Sequence, residues 1–293
     1  LVALTVGLAK KACDNDLTVA QGELELKSTG TVTGDVAVSG TLDGADASFA
    51  MTFDSLTIQS GGTYNATSGT TTLTGSNPSA YTLDTDSGST FTHNSGILLM
   101  QDVGTPRLFE MDGNGSLYNF GFNSSGTSMQ WNSPITVSND LTITSGSLVD
   151  NSITDAITVT GDVSVSGTFG RTAQSGAYSF GSLTINSGGT FVGTSGNTTV
   201  SGNLINYGTF IDNVGTVVLN NNATIVGFQT DDFKNIIIGQ GSYIAHKDNL
   251  TTSGTVTING TLASNSAGGI ILDGVEDYIA AGDLGDVSAA SFW

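Results

Sequence analysis

The sequence predicts an all-β chain wound as a single-stranded parallel β-helix, or β-solenoid, with short non-repeat caps at both ends. Three observations predict it: a long internal repeat, short apolar-polar-apolar triplets set apart by Gly, Ser and Asn, and a shortage of long side chains. Of 293 residues 40 are Gly and only 3 are Pro, and charged residues make up 11%, well under the roughly 25% of ordinary soluble proteins. Such a chain cannot fill a wide core. It can fill a narrow one with short Val-, Ile-, Leu- and Phe-rich strands joined by tight turns.

The repeat carries most of the weight. Laid on itself with Gly34 over Gly161, the chain matches without a gap as far as Gly75 over Gly202, and 24 of 42 positions are identical. GDVAVSGT faces GDVSVSGT, and SLTIQSGGTYNATSGTTTLTG from Ser55 faces SLTINSGGTFVGTSGNTTVSG from Ser182. Upstream, DLTVAQGEL at Asp16 resembles DLTITSGSL at Asp140. Downstream, GSTFTHNSGILLM from Gly88 parallels YGTFIDNVGTVVL from Tyr207, and SLYNFGF from Ser116 parallels DFKNIIIG from Asp232.

The elements follow in order. Residues 1–15 form an N-terminal cap or docking segment, 16–139 the first repeat copy, 140–272 a second copy continuous with it, and 273–293 a C-terminal cap or assembly segment. Each triplet turns two side chains inward for one outward, as a strand on a thin core requires. Gly, and after it Asn, supplies the positive φ of the corners. A sandwich of antiparallel hairpins would give near-identical segments unlike surroundings, whereas stacked coils give them like ones. With about 20 to 27 residues per coil, about 11 coils at roughly 4.8 Å make a rod on the order of 50 Å long.

Charge and cysteine content narrow the functions. Twenty-six acidic residues against seven Lys and Arg give a net charge of −19, which repels a nucleic-acid backbone. The acids, among them Asp43, Asp46, Asp84, Asp86, Asp102, Asp112, Asp150 and Asp212, are scattered near turns. Cys13 is the only cysteine, so neither an intrachain disulfide nor a cysteine metal site is expected. No apolar run reaches the roughly 18 residues of a membrane span.

The units LTIxSGGTF, a TTVSGNL-like strand, a GTF segment and a closing F-x-N-[LI]-x-I segment occur here as SLTINSGGTF from Ser182, TTVSGNLINYGTF from Thr198 and FKNIII from Phe233. In the first copy LYNFGF from Leu117 stands in place of the closing segment. Over roughly 16–272 the chain thereby resembles the β-helical repeat proteins of bacterial surfaces and phage fibres, of the adhesin and autotransporter-passenger kind. The resemblance implies the fold and an extracellular, cell-surface or virion setting, and it implies no particular chemistry.

Catalysis is not expected. Lys10, Lys11, Lys27, Arg107, Arg171, Lys234 and Lys247 form no cluster, and His93 and His246 fit no metal-ligand spacing. Asp112 and Asn114 in MDGNGS alternate like calcium ligands, but Asn123 stands where such a loop places its bidentate Glu. Calcium at that turn is the one cofactor these residues suggest. Thr70–Thr72 and Thr255–Ile258 lack the regular rows of an ice-binding face. Tyr64, Tyr81, Trp131 and Tyr243 are read as exposed aromatics able to stack on cell-surface glycan.

The expected role is a structural or adhesive subunit of an extracellular appendage, surface layer or virion fibre. It associates with itself through apolar ends, Leu1, Val2, Leu4, Val6 and Leu8 at one and Tyr278, Phe292 and Trp293 at the other. The alternatives are a β-helical polysaccharide-processing enzyme, which needs two convergent carboxylates in a groove, and a carbohydrate-binding module, which needs a row of exposed aromatics.

Overall fold

A computed structural model describes residues 12–13, 15–45, 48–75, 81–101, 107–113, 115–227, 233–246, 250–264, 270–272 and 278–281. The chain is all-β, with parallel strands stacked into a β-solenoid of about 10 turns. A short turn carries Ala245 onto Ala263, and a turn half as long again carries Thr72 onto Leu99. Turn length therefore varies while the stack stays in register.

Each turn crosses three faces in chain order. The first carries Leu17–Val19, Asp35–Val38, Ser55–Ile58, Tyr81–Thr85 and Arg107–Met111. The second begins as a four-stranded sheet of Glu23–Glu25, Thr41–Asp43, Thr63–Asn65 and Thr90–Thr92. It resumes where Leu117 bridges to Val137. The third carries Gly30–Val32, Met51–Phe53, Thr70–Leu73 and Ile97–Gln101. Pairing runs on through residues 139 and 140, since Phe120 stands in register with Leu141.

The core is a set of columns. On the third face Phe53, Leu73, Met100, Phe122, Ile143, Val165 and Ile185 stand one above the next, each fully buried. Burying each side chain contributes about 1.5–3 kcal/mol. Aromatic rings continue one another along the axis. Trp131 meets Phe169 at 5.8 Å between centroids, Phe169 meets Phe191 at 5.7 Å, Phe191 meets Phe210 at 5.5 Å, and Phe210 meets Phe233 at 5.2 Å. Edge-to-face and tilted pairs at these distances suit the ring quadrupole.

Corners are tied by side chains as well as by backbone. Asp16, Asp140, Asn203 and Asn222 each accept, through Oδ1, the backbone N–H of the residue one turn on: Asp35, Asp162, Thr224 and Tyr243, at 2.8 to 3.1 Å. At the SGG corners Gly61 and Gly188 take φ of 81° and 82°, and the next amide closes the turn, Gly62 N–H onto Gln59 O at 2.8 Å and Gly189 N–H onto Asn186 O at 2.9 Å. A side chain at Gly61 or Gly188 would have room and the wrong φ.

The two copies do not sit on the same faces. Leu56 pairs with Val36 and Leu83 on the first face, whereas its counterpart Leu183 pairs with Val163 and Leu204 on the third. Tyr64 lies on the second face between Leu42 and Phe91, and its counterpart Phe191 lies on the first between Phe169 and Phe210. The path from Leu56 to Leu183 thus spans five turns and two faces, and the second copy is turned by one face about the axis. Sequence similarity alone suggests like placed over like; the structure keeps like neighbours, a Val or Leu above and below, but not the same face.

Candidate functional site

The outer side of the first face gathers four carboxylates, with Asp86, Glu110 and Asp112 close enough to act on Asp84. Leu83 pairs with Leu56 one turn before and with Phe109 one turn after, and both of these turns are longer than the one that carries Leu183 onto Leu204. The outward positions between these apolar anchors form one column: Thr57, Asp84 and Glu110 are in register. Asn132 continues it, its Nδ2 donating to Glu110 Oε2 at 3.4 Å, and Asn151 Nδ2 donates to Asn132 Oδ1 at 3.0 Å. At the following corner Asp86 N–H reaches Ile58 O and Asp112 N–H reaches Thr85 O, which places Asp86 and Asp112 on successive rungs beside the column. Asp86 Oδ2 accepts the Ser60 amide at 3.2 Å.

Asp84 is half-buried, and burial raises its pKa, with the charges of Asp86, Glu110 and Asp112 pushing the same way. Tyr81 stands on the strand of Asp84; burial raises its hydroxyl, and its hydrogen bond to Glu110 and the nearby carboxylates raise it further. In-register strands are about 4.8 Å apart. Asp84 and Glu110 therefore stand on adjacent rungs of one side of the coil, and paired carboxyl groups are the residue type that general acid–base chemistry uses.

Asp84, Asp86 and Asp112 are scattered in sequence and gathered in space. Glu110 is the residue that sequence reading passes over. Its signal is its distance along the chain from Asp84, which is one turn of this coil. The calcium reading gains no geometry: Asp112 is exposed, Asn114 lies outside the described residues, and no group of three or more His, Cys, Asp or Glu suited to a metal occurs among the described residues.

Two of the four aromatics expected at the surface are in the core. Tyr64 and Trp131 are 0% exposed, because both occupy inward positions of their strands; the Tyr64 hydroxyl bonds Thr71 Oγ1 at 3.0 Å, and burial pushes its pKa up to about 12. Tyr81 is half-buried and Tyr243 is 48% exposed. His93 stacks on Tyr118 at 5.3 Å and its Nδ1 accepts the Ser95 amide at 2.9 Å, a turn-closing role. Thr71 and Val256 point inward, so neither Thr run presents three outward hydroxyls.

A second polar group lies inside the coil. Asp150 is fully buried in register with Trp131. It accepts the amides of Ser152 at 2.9 Å and Asp155 at 3.0 Å, and Gln174 Nε2 at 3.0 Å. Burial raises its pKa, and burial together with the Asp150 charge raises the Tyr178 hydroxyl well above its usual value. This corner closes turns against one another.

Of the expected assembly residues, Leu1, Val2, Leu4, Val6, Leu8, Phe292 and Trp293 lie outside the described residues, and Tyr278 begins the Tyr278–Ala281 strand, paired with Thr255–Ile258 on the second face. No helix among the described residues is long and apolar enough to cross a membrane. Comparison with protein-family models, curated proteins and solved structures finds no match.

Proposed function

We propose that the chain is a structural or adhesive subunit of an extracellular appendage, surface layer or virion fibre. One observation carries the reading: hydrogen-bonded ladders and buried columns run along the coil on all three faces, a continuity that suits a load-bearing rod. Repetitive stacks of this kind bury their core only through neighbouring turns. The net charge of −19 opposes indiscriminate aggregation of such rods. Electron microscopy of the native particle or cell surface tests the proposal: rods joined end to end or projecting from a surface are expected, and a freely diffusing monomer would overturn it.

The in-register pair Asp84 and Glu110 favours a second reading, a polysaccharide-processing enzyme on the same coil. Its test is turnover of uronate-containing and neutral polysaccharides by the intact chain, lost in both Asp84→Asn and Glu110→Gln. The carbohydrate-binding reading is weaker, since Tyr64 and Trp131 do not contribute to a surface row.

A further inference from the structure

Four polar atoms around Asp150 are shut away from solvent without a hydrogen-bond partner: the donor Trp131 Nε1, the Tyr178 hydroxyl, and the acceptors Gln174 Oε1 and Asp155 Oδ2. Each is placed there by a separate contact. Trp131 is in register with Asp150, and both side chains are fully buried. The Asp155 amide and Gln174 Nε2 both donate to Asp150 Oδ2, each at 3.0 Å. The Tyr178 hydroxyl lies close enough to Asp150 and Gln174 for both to act on it, without hydrogen-bond geometry to either.

Gln174 and Tyr178 are held in place. Gln174 O accepts the Ser195 amide at 2.7 Å, Ser195 Oγ at 2.9 Å and Thr194 Oγ1 at 3.1 Å, which anchors its backbone. With Nε2 committed to a carboxylate, its Oε1 must face the other way. The Tyr178 ring stacks on Phe169 at 5.4 Å and 12°. Buried polar groups left unpaired are costly, and native interiors pair nearly all of them with protein or with ordered water.

We infer that these four atoms form a binding site for a buried water molecule. Chemistry selects the occupant. It must accept from an indole N–H and donate to an amide oxygen and to a carboxylate oxygen, while the Tyr178 hydroxyl can serve either way. A metal cation cannot accept the indole hydrogen, and an anion cannot donate to the carboxylate. Water does both, and buried waters make about three such bonds. Trp131 lies one turn before Asp150, and Tyr178 is in register with Ile157, one turn after the Asp150–Asp155 corner. The water therefore ties three successive turns through the interior, and it does so whether the rod is structural or catalytic.

A crystal structure of the full chain at a resolution that shows ordered solvent tests it. The expected result is a water about 2.7–3.2 Å from at least one of the donors Trp131 Nε1 and Tyr178 Oη and at least one of the acceptors Gln174 Oε1 and Asp155 Oδ2. In solution, the Trp131 indole proton, isolated by Trp293→Phe, should show a cross-peak to a long-lived water by NMR. That cross-peak should persist in Tyr178→Phe, which leaves three partners and removes the hydroxyl as a source of exchanging protons. Direct pairing of the four atoms with one another, a site enclosed by oxygens alone at the roughly 2.3–2.6 Å of a calcium ion, or an indole proton with no water cross-peak would each overturn the inference.

Discussion

Gly161 lies against the carboxylate of Asp140, one turn earlier in the chain: a Cβ added at Gly161 would overlap Asp140 Oδ1. The same oxygen accepts the Asp162 amide at 2.8 Å. Gly34 and Asp16 repeat the arrangement, with an added Cβ overlapping Oδ1 and the Asp35 amide at 3.0 Å from it. The paired Gly-Asp-Val segments of the two copies are thus explained by one contact. Gly161→Ala should cost on the order of 1–3 kcal/mol, read by chemical denaturation. Adding Asp140→Ala should recover only part, because Asn139 O also lies 2.7 Å from that Cβ.

Asp84 has a raised pKa, through burial first and neighbouring carboxylates second. Folding therefore favours its protonated form: that contribution is complete below the ordinary Asp value of about 3.9 and is lost as pH rises through the raised folded value. Asp84→Asn should flatten the fall in melting temperature between acid and neutral pH. A variant that melts in parallel with the parent at every pH would contradict the assignment.

Asp212, half-buried, accepts the Lys234 amide through Oδ2, and burial pushes its carboxyl up to about 6 against the opposing pull of that bond and of the Lys234 charge. The sign is the same. Its contribution is full below about 3.9 and fades as pH passes about 6, so a carboxyl resonance titrating near that pH is expected by NMR, and Asp212→Asn should remove it.

Trp131, with no exposed surface, should emit at short wavelength and resist acrylamide. Replacing Trp293 by Phe isolates its signal, since the chain has 2 Trp. Saccharides should leave that emission unchanged. Phe191→Ala, at the junction of the aromatic column, should cost about 3–5 kcal/mol.

Gln174, fully buried, gives its amide Nε2 to Asp150. Gln174→Ala leaves a buried carboxylate short of a donor and should cost about 1–3 kcal/mol. The loss should shrink in an Asp150→Asn background, which a double-mutant cycle measures.

Much of the fold was legible in the residues. The triplets LTI, GTF and TTV fix which side chains point inward, and SGG fixes the corners, because backbone pleat and positive φ are local properties. The face each strand occupies was not legible, since it depends on how much chain every preceding turn consumes, and the turns on either side of Leu83 are longer than most. The same cause hid the site. Asp84 and Glu110 are neighbours only once the length of the turn between them is known. Tyr64 and Trp131 were misplaced because a large aromatic with a polar atom looks the same in sequence at an inward and an outward position, and only strand parity separates them.

The turn of one face between the copies makes the rod divalent in an unusual way. Five turns and two faces correspond to a rise of about 27 Å, so the SGGT corner at Ser60 reappears at Ser187 by a screw operation, displaced along the axis and facing another direction. Whatever reads that corner meets it twice on one molecule, from sides a third of a circumference apart, and cannot bridge both with a single flat surface.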